Sequence, residues 1–220
     1  MFLFSGEGTM HEQSGFTLAK SSTVWSNISQ IISDRLDLDI EELWNREIGR
    51  HRCPESPLLT VICQICIADI WRRWGYRPEL VVGHSIGELS AAYEAGLYSL
   101  EEILLLSYRI GKAAAKLEGA MSHGTLPQDE IDLLKITVSS ENFHVGKDKH
   151  ITVSGPDDEM QRFLVDQPDF TAMRPPHPWH HPGYSAYADD VETVKSRRTA
   201  ETLFVSGITG GFESHLHDYY

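Results

Sequence analysis

The sequence predicts an α/β protein, a parallel-sheet core carrying a small α+β subdomain. Three features point there. Leu80-Val81-Val82 is a short β-branched run, followed at once by Gly83-His84-Ser85-Ile86-Gly87 and a helical Glu88–Ala95 stretch. Strand, tight turn, helix is the order of a parallel α/β unit. Residues 58–74 are apolar nearly all round, the pattern of a helix buried inside a core. Residues 119–176 then change texture, to short strands and one polar helix, before Arg174-Pro175-Pro176-His177-Pro178 makes a rigid connector back. The predicted division is 1–118 with 177–220 for the core and 119–176 for the subdomain.

Each element follows from its residues. Phe2–Phe4 is a short apolar strand stopped by Ser5-Gly6-Glu7-Gly8. Residues 22–36 and 40–47 have helical periodicity, with Ile28, Ile31, Ile32 and Leu36 on one face. Ser56 suits an N-cap and Pro57 a first helical position, and the helix runs from Leu58 to Trp74 before Gly75. Ser99-Leu100-Glu101-Glu102 is a capping box opening a helix to about Leu117. In the subdomain, strands are predicted at 135–139, 150–154 and 169–174, with a helix at 157–166 capped by Asp157. A helix at 184–197 and a strand at 203–208 return to the core.

Composition narrows the function. The chain has 220 residues and a formal net charge of −13, with 19 Lys plus Arg against 32 Asp plus Glu. Phosphate neutralisation needs a cationic surplus, so nucleic acid and anionic membrane surfaces are poor partners. No secretory signal opens the chain, because Met1-Phe2-Leu3-Phe4 is too short and lacks a cationic lead. No apolar run spans a bilayer. The odd count of Cys53, Cys63 and Cys66 suits reduced thiols and a cytoplasmic location. Cys63-x-x-Cys66 has the spacing of half a zinc site or a redox pair, but it sits in the apolar helix without a second pair, so core packing is expected. His177, His180 and His181, with His215 and His217, invite a metal reading; proline-spaced imidazoles without Glu or Cys partners argue against it.

Gly83-His84-Ser85-Ile86-Gly87 fits G-x-S-x-G, the nucleophile elbow. The serine occupies a strained strand-to-helix turn where side chains two positions either way would clash, so glycine fills both places. The following helix aims free N–H groups and its positive end at a reacting carbonyl. The other reading is an ordinary turn with a capping serine.

Gly83 to Gly96, through Glu88-Leu89-Ser90-Ala91-Ala92-Tyr93-Glu94-Ala95, resembles the active-site signature of the malonyl/acyl-CoA:acyl-carrier-protein transacylases. It is most similar to the acyltransferase domains of polyketide and animal-type fatty-acid synthases. Phe2–Gly8, Leu58–Pro78, Gly119-Ala120-Met121, Val153-Ser154-Gly155 and Val205–Gly210 resemble further family segments in order. The resemblance implies a hydrolase-like core with a ferredoxin-like subdomain. It implies acyl transfer from coenzyme A, through an acyl-serine, to the phosphopantetheine thiol of an acyl carrier protein. No resident cofactor is implied. Acyl-CoA, malonyl-CoA first, is the substrate, and neighbouring synthase domains are expected partners.

Residue by residue, the resemblance makes Ser85 the nucleophile and His180, in Trp179-His180-His181-Pro182, the base. His181 falls where the family usually has a small polar residue. The backbone N–H groups of Glu7 and Ile86 would form the oxyanion hole, and Arg109 would hold a malonyl carboxylate. His84, Asn142, His177 and Trp179 would line the substrate site, and His177-Pro178-Trp179-His180 has the form that accompanies malonyl preference. The chain departs from the family at four points. Glu7 stands where glutamine is usual. Arg109 lies one residue closer to Ser85 than the family's arginine, a turn of about 100° on a helix. Asn142 has mismatched flanks. The sequence ends at Asp218-Tyr219-Tyr220, before the family's final segment. Arg72, Arg73 and Arg77 are either a patch for an acidic carrier protein or an exposed helix end. A hydrolase or thioesterase on the same elbow, and an inactive acyltransferase-like domain, are the competing functions.

Overall fold

The computed structural model describes residues 1–9, 15–45, 52–191, 198–207 and 209–213. In chain order the elements are β1 (Phe2–Phe4), α1 (Phe16–Lys20), α2 (Trp25–Leu36), α3 (Ile40–Asn45), α4 (Glu55–Arg73), β2 (Leu80–Gly83), α5 (Gly87–Glu94), α6 (Leu100–Ala114), β3 (Ala120–Leu126), α7 (Gln128–Ile131), β4 (Thr137–Val145), β5 (Asp148–Gly155), α8 (Asp157–Asp166), β6 (Thr171–Ala172), a 3-10 helix (Pro182–Asp190), β7 (Leu203–Val205) and β8 (Phe212–Glu213). They form two compact units, residues 1–111 with 190–220 and residues 112–189. The division therefore falls at 111/112 and 189/190, not at 118/119 and 176/177. His177 to His181 belong to the smaller unit.

The larger unit is built on a sheet of order β1-β2-β7-β8. β1, β2 and β7 run parallel, and β8 returns antiparallel. Phe4, Val81 and Phe204 are buried with Ile28, Ile32, Leu58, Ile62 and Leu89. The α2 periodicity holds in the fold: Ile28 and Ile32 are fully enclosed, and Asp37 at φ 55° ends the helix. Phe16, Trp25 and Trp44 pack as an aromatic trio, with ring centroids 5.4–6.0 Å apart. α1 has no counterpart among the predicted elements, being one short turn of helix. Residues 46 and 47 of the predicted 40–47 helix lie outside the described residues.

α4 is the buried helix the sequence promises, with a different start. Pro54 is its N-cap, and Ser56 lies inside the first turn with its hydroxyl donated to Glu7. Asp69, on the same helix, accepts from Ser22 Oγ (2.8 Å) and Thr23 N (2.9 Å). Burial alone would raise its pKa, but these bonds and Arg72 hold it below the usual carboxylate range. Cys63 and Cys66 are buried on α4, and burial pushes their thiols up to about 11 and 12. The Ser99 capping box forms as predicted: Glu102 accepts from Ser99 N (2.7 Å) and Ser99 Oγ receives Glu102 N (3.3 Å).

The smaller unit holds an antiparallel sheet of order β4-β5-β3-β6 with α7 and α8 between strands. β3 is not among the predicted strands. Its face alternation is broken at Met121 and Ser122, both buried, and Gly124 has no side chain because the Phe170 ring lies 2.6 Å from where a Cβ would stand. Gly119-Ala120-Met121 and Val153-Ser154-Gly155 prove to be register partners, Ala120 opposite Gly155 and Met121 opposite Ser154. β4 and β5 are longer than predicted, and β6 is shorter. α8 spans the predicted residues, but Pro156 is its N-cap, and Asp157 contributes as one of three acids in the first turn. The predicted 184–197 helix is instead the 3-10 helix at 182–190, and residues 192–197 lie outside the described residues. No helix among the described residues is long and apolar enough to cross a membrane.

Candidate active site

β2 delivers the chain to the elbow, and the turn is enforced by backbone. A Cβ on Gly83 would overlap the Glu88 backbone, and one on Gly87 would overlap the carbonyls of Phe4 and Ser5. Only glycine fits either place. Between them Ser85 stands at φ 53°, in the left-handed region that costs an L-residue roughly 1–2 kcal/mol. The His84 N–H donates to Phe4 O (2.9 Å), tying the turn to β1. Glu88 N–H reaches Ser85 O at 2.9 Å, so α5 begins directly under the serine. His84 is exposed, Ser85 half-buried and Ile86 buried.

The loop after β1 lies against the elbow. A Cβ on Gly6 would come within 2.8 Å of His84 Nδ1 and 3.3 Å of Ser85 Cβ. Glu7 follows in that loop. Among the described residues, neither its N–H nor that of Ile86 donates to a protein acceptor. The Glu7 side chain turns away from the elbow toward α4. Ser56 Oγ donates to its Oε1, and Oε2 is enclosed. Burial pushes its pKa up to about 8, against the Gly8 N–H and the Thr60 hydroxyl, which favour the charged form.

A third segment completes the elbow's surroundings. Gly207, just beyond β7, donates its N–H to Glu88 Oε1 (3.3 Å), and its missing Cβ would stand 2.9 Å from Gly83 O. Burial raises the Glu88 pKa; the Ser206 hydroxyl and Gly207 N–H oppose it. Sequence reasoning does not single out Glu88 or the Ser56–Thr60 pair. An acid in the first turn after an elbow reads as a favourable dipole partner, and nothing local shows that it is buried. Arg109 sits half-buried on α6 in this unit. Ile208 lies outside the described residues.

The remaining predicted residues belong to the smaller unit. His180 stands at φ 60° and is exposed. Its turn is knitted by Trp179 N–H to His177 O (3.0 Å) and His181 N–H to Pro178 O (3.2 Å). His181 Nδ1 accepts from Gly183 N–H at 3.0 Å, a structural duty at the start of the 3-10 helix. His177 is buried and packs edge-on against Trp179, with its Nδ1 3.5 Å from Leu117 O. Asn142 is on β4, away from that turn in the chain, and its amide meets His150 Nδ1 (2.9 Å) and Thr152 Oγ1 (3.4 Å). Glu7, His84, Ser85 and Ile86 lie together in the larger unit, and His177, Trp179 and His180 lie together in the smaller one. His215 and His217 lie outside the described residues.

Known proteins resemble this chain over most of its length. The model of the acyl transferase domain matches residues 1–173. The highly reducing polyketide synthase resH of Aspergillus sclerotiorum is 32% identical over 147 residues, 61% of this chain and 6% of that protein. The reducing polyketide synthase rdc5 of Metacordyceps chlamydosporia is 31% identical over 172 residues, 73% of this chain and 7% of that protein. The chain therefore spans only a small part of these relatives. Among solved structures, the loading acyltransferase of the avermectin polyketide synthase superposes with a TM-score of 0.79 at 21% identity, covering 97% of this chain and 74% of that one. The Synechocystis sp. PCC 6803 malonyl-CoA:ACP transacylase gives 0.76 at 18% identity, covering 97% and 75%. At such identities the superpositions speak for the fold. With the family model spanning most of its length, and the glycine-moulded serine elbow in the place that sequence assigns, the chain belongs to the acyl transferase family.

Proposed function

We propose that this protein moves an acyl group, malonyl by preference, from coenzyme A to the phosphopantetheine thiol of an acyl carrier protein, as part of polyketide or fatty-acid synthesis. The observation that carries the reading is Ser85, held at φ 53° at the head of α5. Among the described residues, the backbone N–H groups of Glu7 and Ile86, in the elbow and the loop beside it, donate to no protein acceptor. We read the larger unit as hydrolase-like. The smaller one, with strand order β4-β5-β3-β6 around two helices, we read as ferredoxin-like.

In the first half-reaction the Ser85 hydroxyl attacks the thioester carbonyl, and His180 takes its proton. The developing oxyanion is held by the Glu7 and Ile86 N–H groups, donors of a kind typically worth about 3 kcal/mol each. The tetrahedral intermediate collapses, the C–S bond breaks, and His180 returns the proton to the departing coenzyme A sulfur. In the second half-reaction His180 deprotonates the carrier thiol, which attacks the acyl-serine and restores Ser85. The pairing of Ser85 with His180 rests on the family resemblance, as do the roles of Arg109 as carboxylate clamp and of His84, Asn142, His177 and Trp179 as substrate-lining groups. Acyl-CoA is substrate, not a resident cofactor.

A coenzyme A release assay with and without carrier protein tests the reading. Transfer predicts one equivalent of coenzyme A per protein without acceptor and turnover with it. Turnover without acceptor identifies a thioesterase, and no release at all identifies an inactive member of the family.

A further inference from the structure

We propose that Glu7 works as a neutral carboxylic acid, a positioning residue that pins the loop beside the elbow to α4 through Ser56 and Thr60, so that its ionisation loosens the site at alkaline pH. This rests on the proposed acyl transfer only for its effect on rate.

The geometry leads. Glu7 follows Gly6, which packs directly on His84 and Ser85, so whatever holds the Glu7 side chain also fixes the backbone beside the nucleophile. The carboxyl reaches the first two turns of α4. Ser56 Oγ donates to Oε1. Oε2 and Thr60 Oγ1 are both enclosed, and the Thr60 hydroxyl lies beside the carboxyl. With a proton on Oε2, the carboxyl can donate to Thr60 Oγ1. The Thr60 hydroxyl is then free to donate to the carbonyl one turn back, as threonines in helices do. Every buried polar atom of the cluster is thereby served.

The charged form fits less well. Among the described residues no Lys or Arg forms an ion pair with Glu7. A buried carboxylate without a cation is held back by desolvation. The titratable groups facing this corner bring no relief. Cys53 feels both Glu7 and Glu55, and burial with those acids raises its thiol. Tyr108 of α6 is raised by burial and by Glu55. His84 is the titratable neighbour on the elbow side. The raised pKa of Glu7, about 8, agrees with this picture. A protonated carboxyl and a glutamine amide have nearly the same shape, and each offers one donor and one acceptor here. Glu7 so protonated does the work of the glutamine usual at this position in the family.

The first test needs no catalysis. An acid with its pKa raised from 4.5 in the unfolded chain to about 8 in the fold contributes its full stability below pH 4.5 and loses it as pH rises through 8. Glu7→Gln does not titrate. Its melting temperature should therefore gain on wild type steadily between those pH values, with a constant gap above them. A gap that stays flat or narrows with rising pH overturns the neutral acid. The second test reads position. The rate of acyl-serine formation from malonyl-CoA should fall in wild type with a midpoint near pH 8. Glu7→Gln should lose that alkaline fall, and Glu7→Ala should be slower by about tenfold or more at all pH values, because an oxyanion donor has shifted. If Glu7→Gln keeps the same alkaline fall, or Glu7→Ala matches wild type, Glu7 does not position the loop. If wild type forms no acyl-serine at any pH, the acyl-transfer reading fails, and the melting curves still decide the state of Glu7.

Discussion

Ser85 and His180 both stand at left-handed backbone angles, φ 53° and φ 60°, and the protein holds them by different means. Around Ser85 the constraint is backbone against backbone, partly between segments distant in sequence. The Phe4 and Ser5 carbonyls crowd Gly87, Glu88 crowds Gly83, and Gly207 closes on Gly83 from β7. Around His180 a ladder of bonds within the turn runs from His177 to Tyr184, with His181 Nδ1 as one acceptor. A residue moulded by packed strands moves only if the sheet moves. A residue held by its own turn can be altered without disturbing what lies beyond it.

Ser85→Ala separates chemistry from mould, and its effect should be the largest. The covalent mass increment after incubation with malonyl-CoA should vanish while the melting temperature barely changes. Full labelling of that variant would place the nucleophile elsewhere. His180→Ala should slow acylation by about 10²–10⁴-fold, the usual worth of a positioned general base. His181→Ala should cost less than about tenfold, because its ring serves the turn. If the two histidines exchange these effects, the base assignment is wrong by one residue.

The mould itself is tested at the glycines. Gly87→Ala should destabilise the protein by about 3 kcal/mol or more in urea unfolding, since a methyl group has no room against two carbonyls. Gly183→Ala, whose Cβ would meet the His181 ring at 2.9 Å and the Leu117 side chain at 3.1 Å, should be tolerated far better because side chains can turn aside. Equal costs at both positions would erase the distinction between the two regions.

Arg109→Ala should lower malonyl loading relative to acetyl by about tenfold or more, as loss of one partner of a desolvated charge pair does. An unchanged ratio would remove Arg109 from the clamp and leave the one-residue slip as its reason. The smallest effect is in the backbone: at 85 and at 180, glycine variants should be more stable than alanine variants by about 1 kcal/mol, because only glycine adopts positive φ without strain. Alanine as stable as glycine at either position would show that the left-handed angle there is not enforced.

Much of the elbow is legible in the amino-acid sequence itself. A strand, two glycines flanking a serine and a helix lie within fifteen residues, and each is a local signal whose meaning does not depend on the rest of the chain. The buried α4 and the capping box at Ser99 are legible for the same reason. What is not legible is what needs a partner. β3 looks irregular until β5, β6 and Phe170 explain its glycine and its serine. The sequence reads as an α-helix from 184 to 197, but in the fold Pro182–Asp190 forms a 3-10 helix.

Sequence alone determined the candidate nucleophile, its turn and the class of fold, because period, capping and glycine spacing act over a few residues. Tertiary structure alone decided that Ser56 serves Glu7 instead of capping α4, that Glu88 latches the Gly207 loop, and that the His180 turn belongs with the smaller unit. Each of those depends on burial. Whether a hydroxyl caps a helix or a carboxyl keeps its proton is settled by which groups are shut away from water together, and distant segments meet only when the chain has folded.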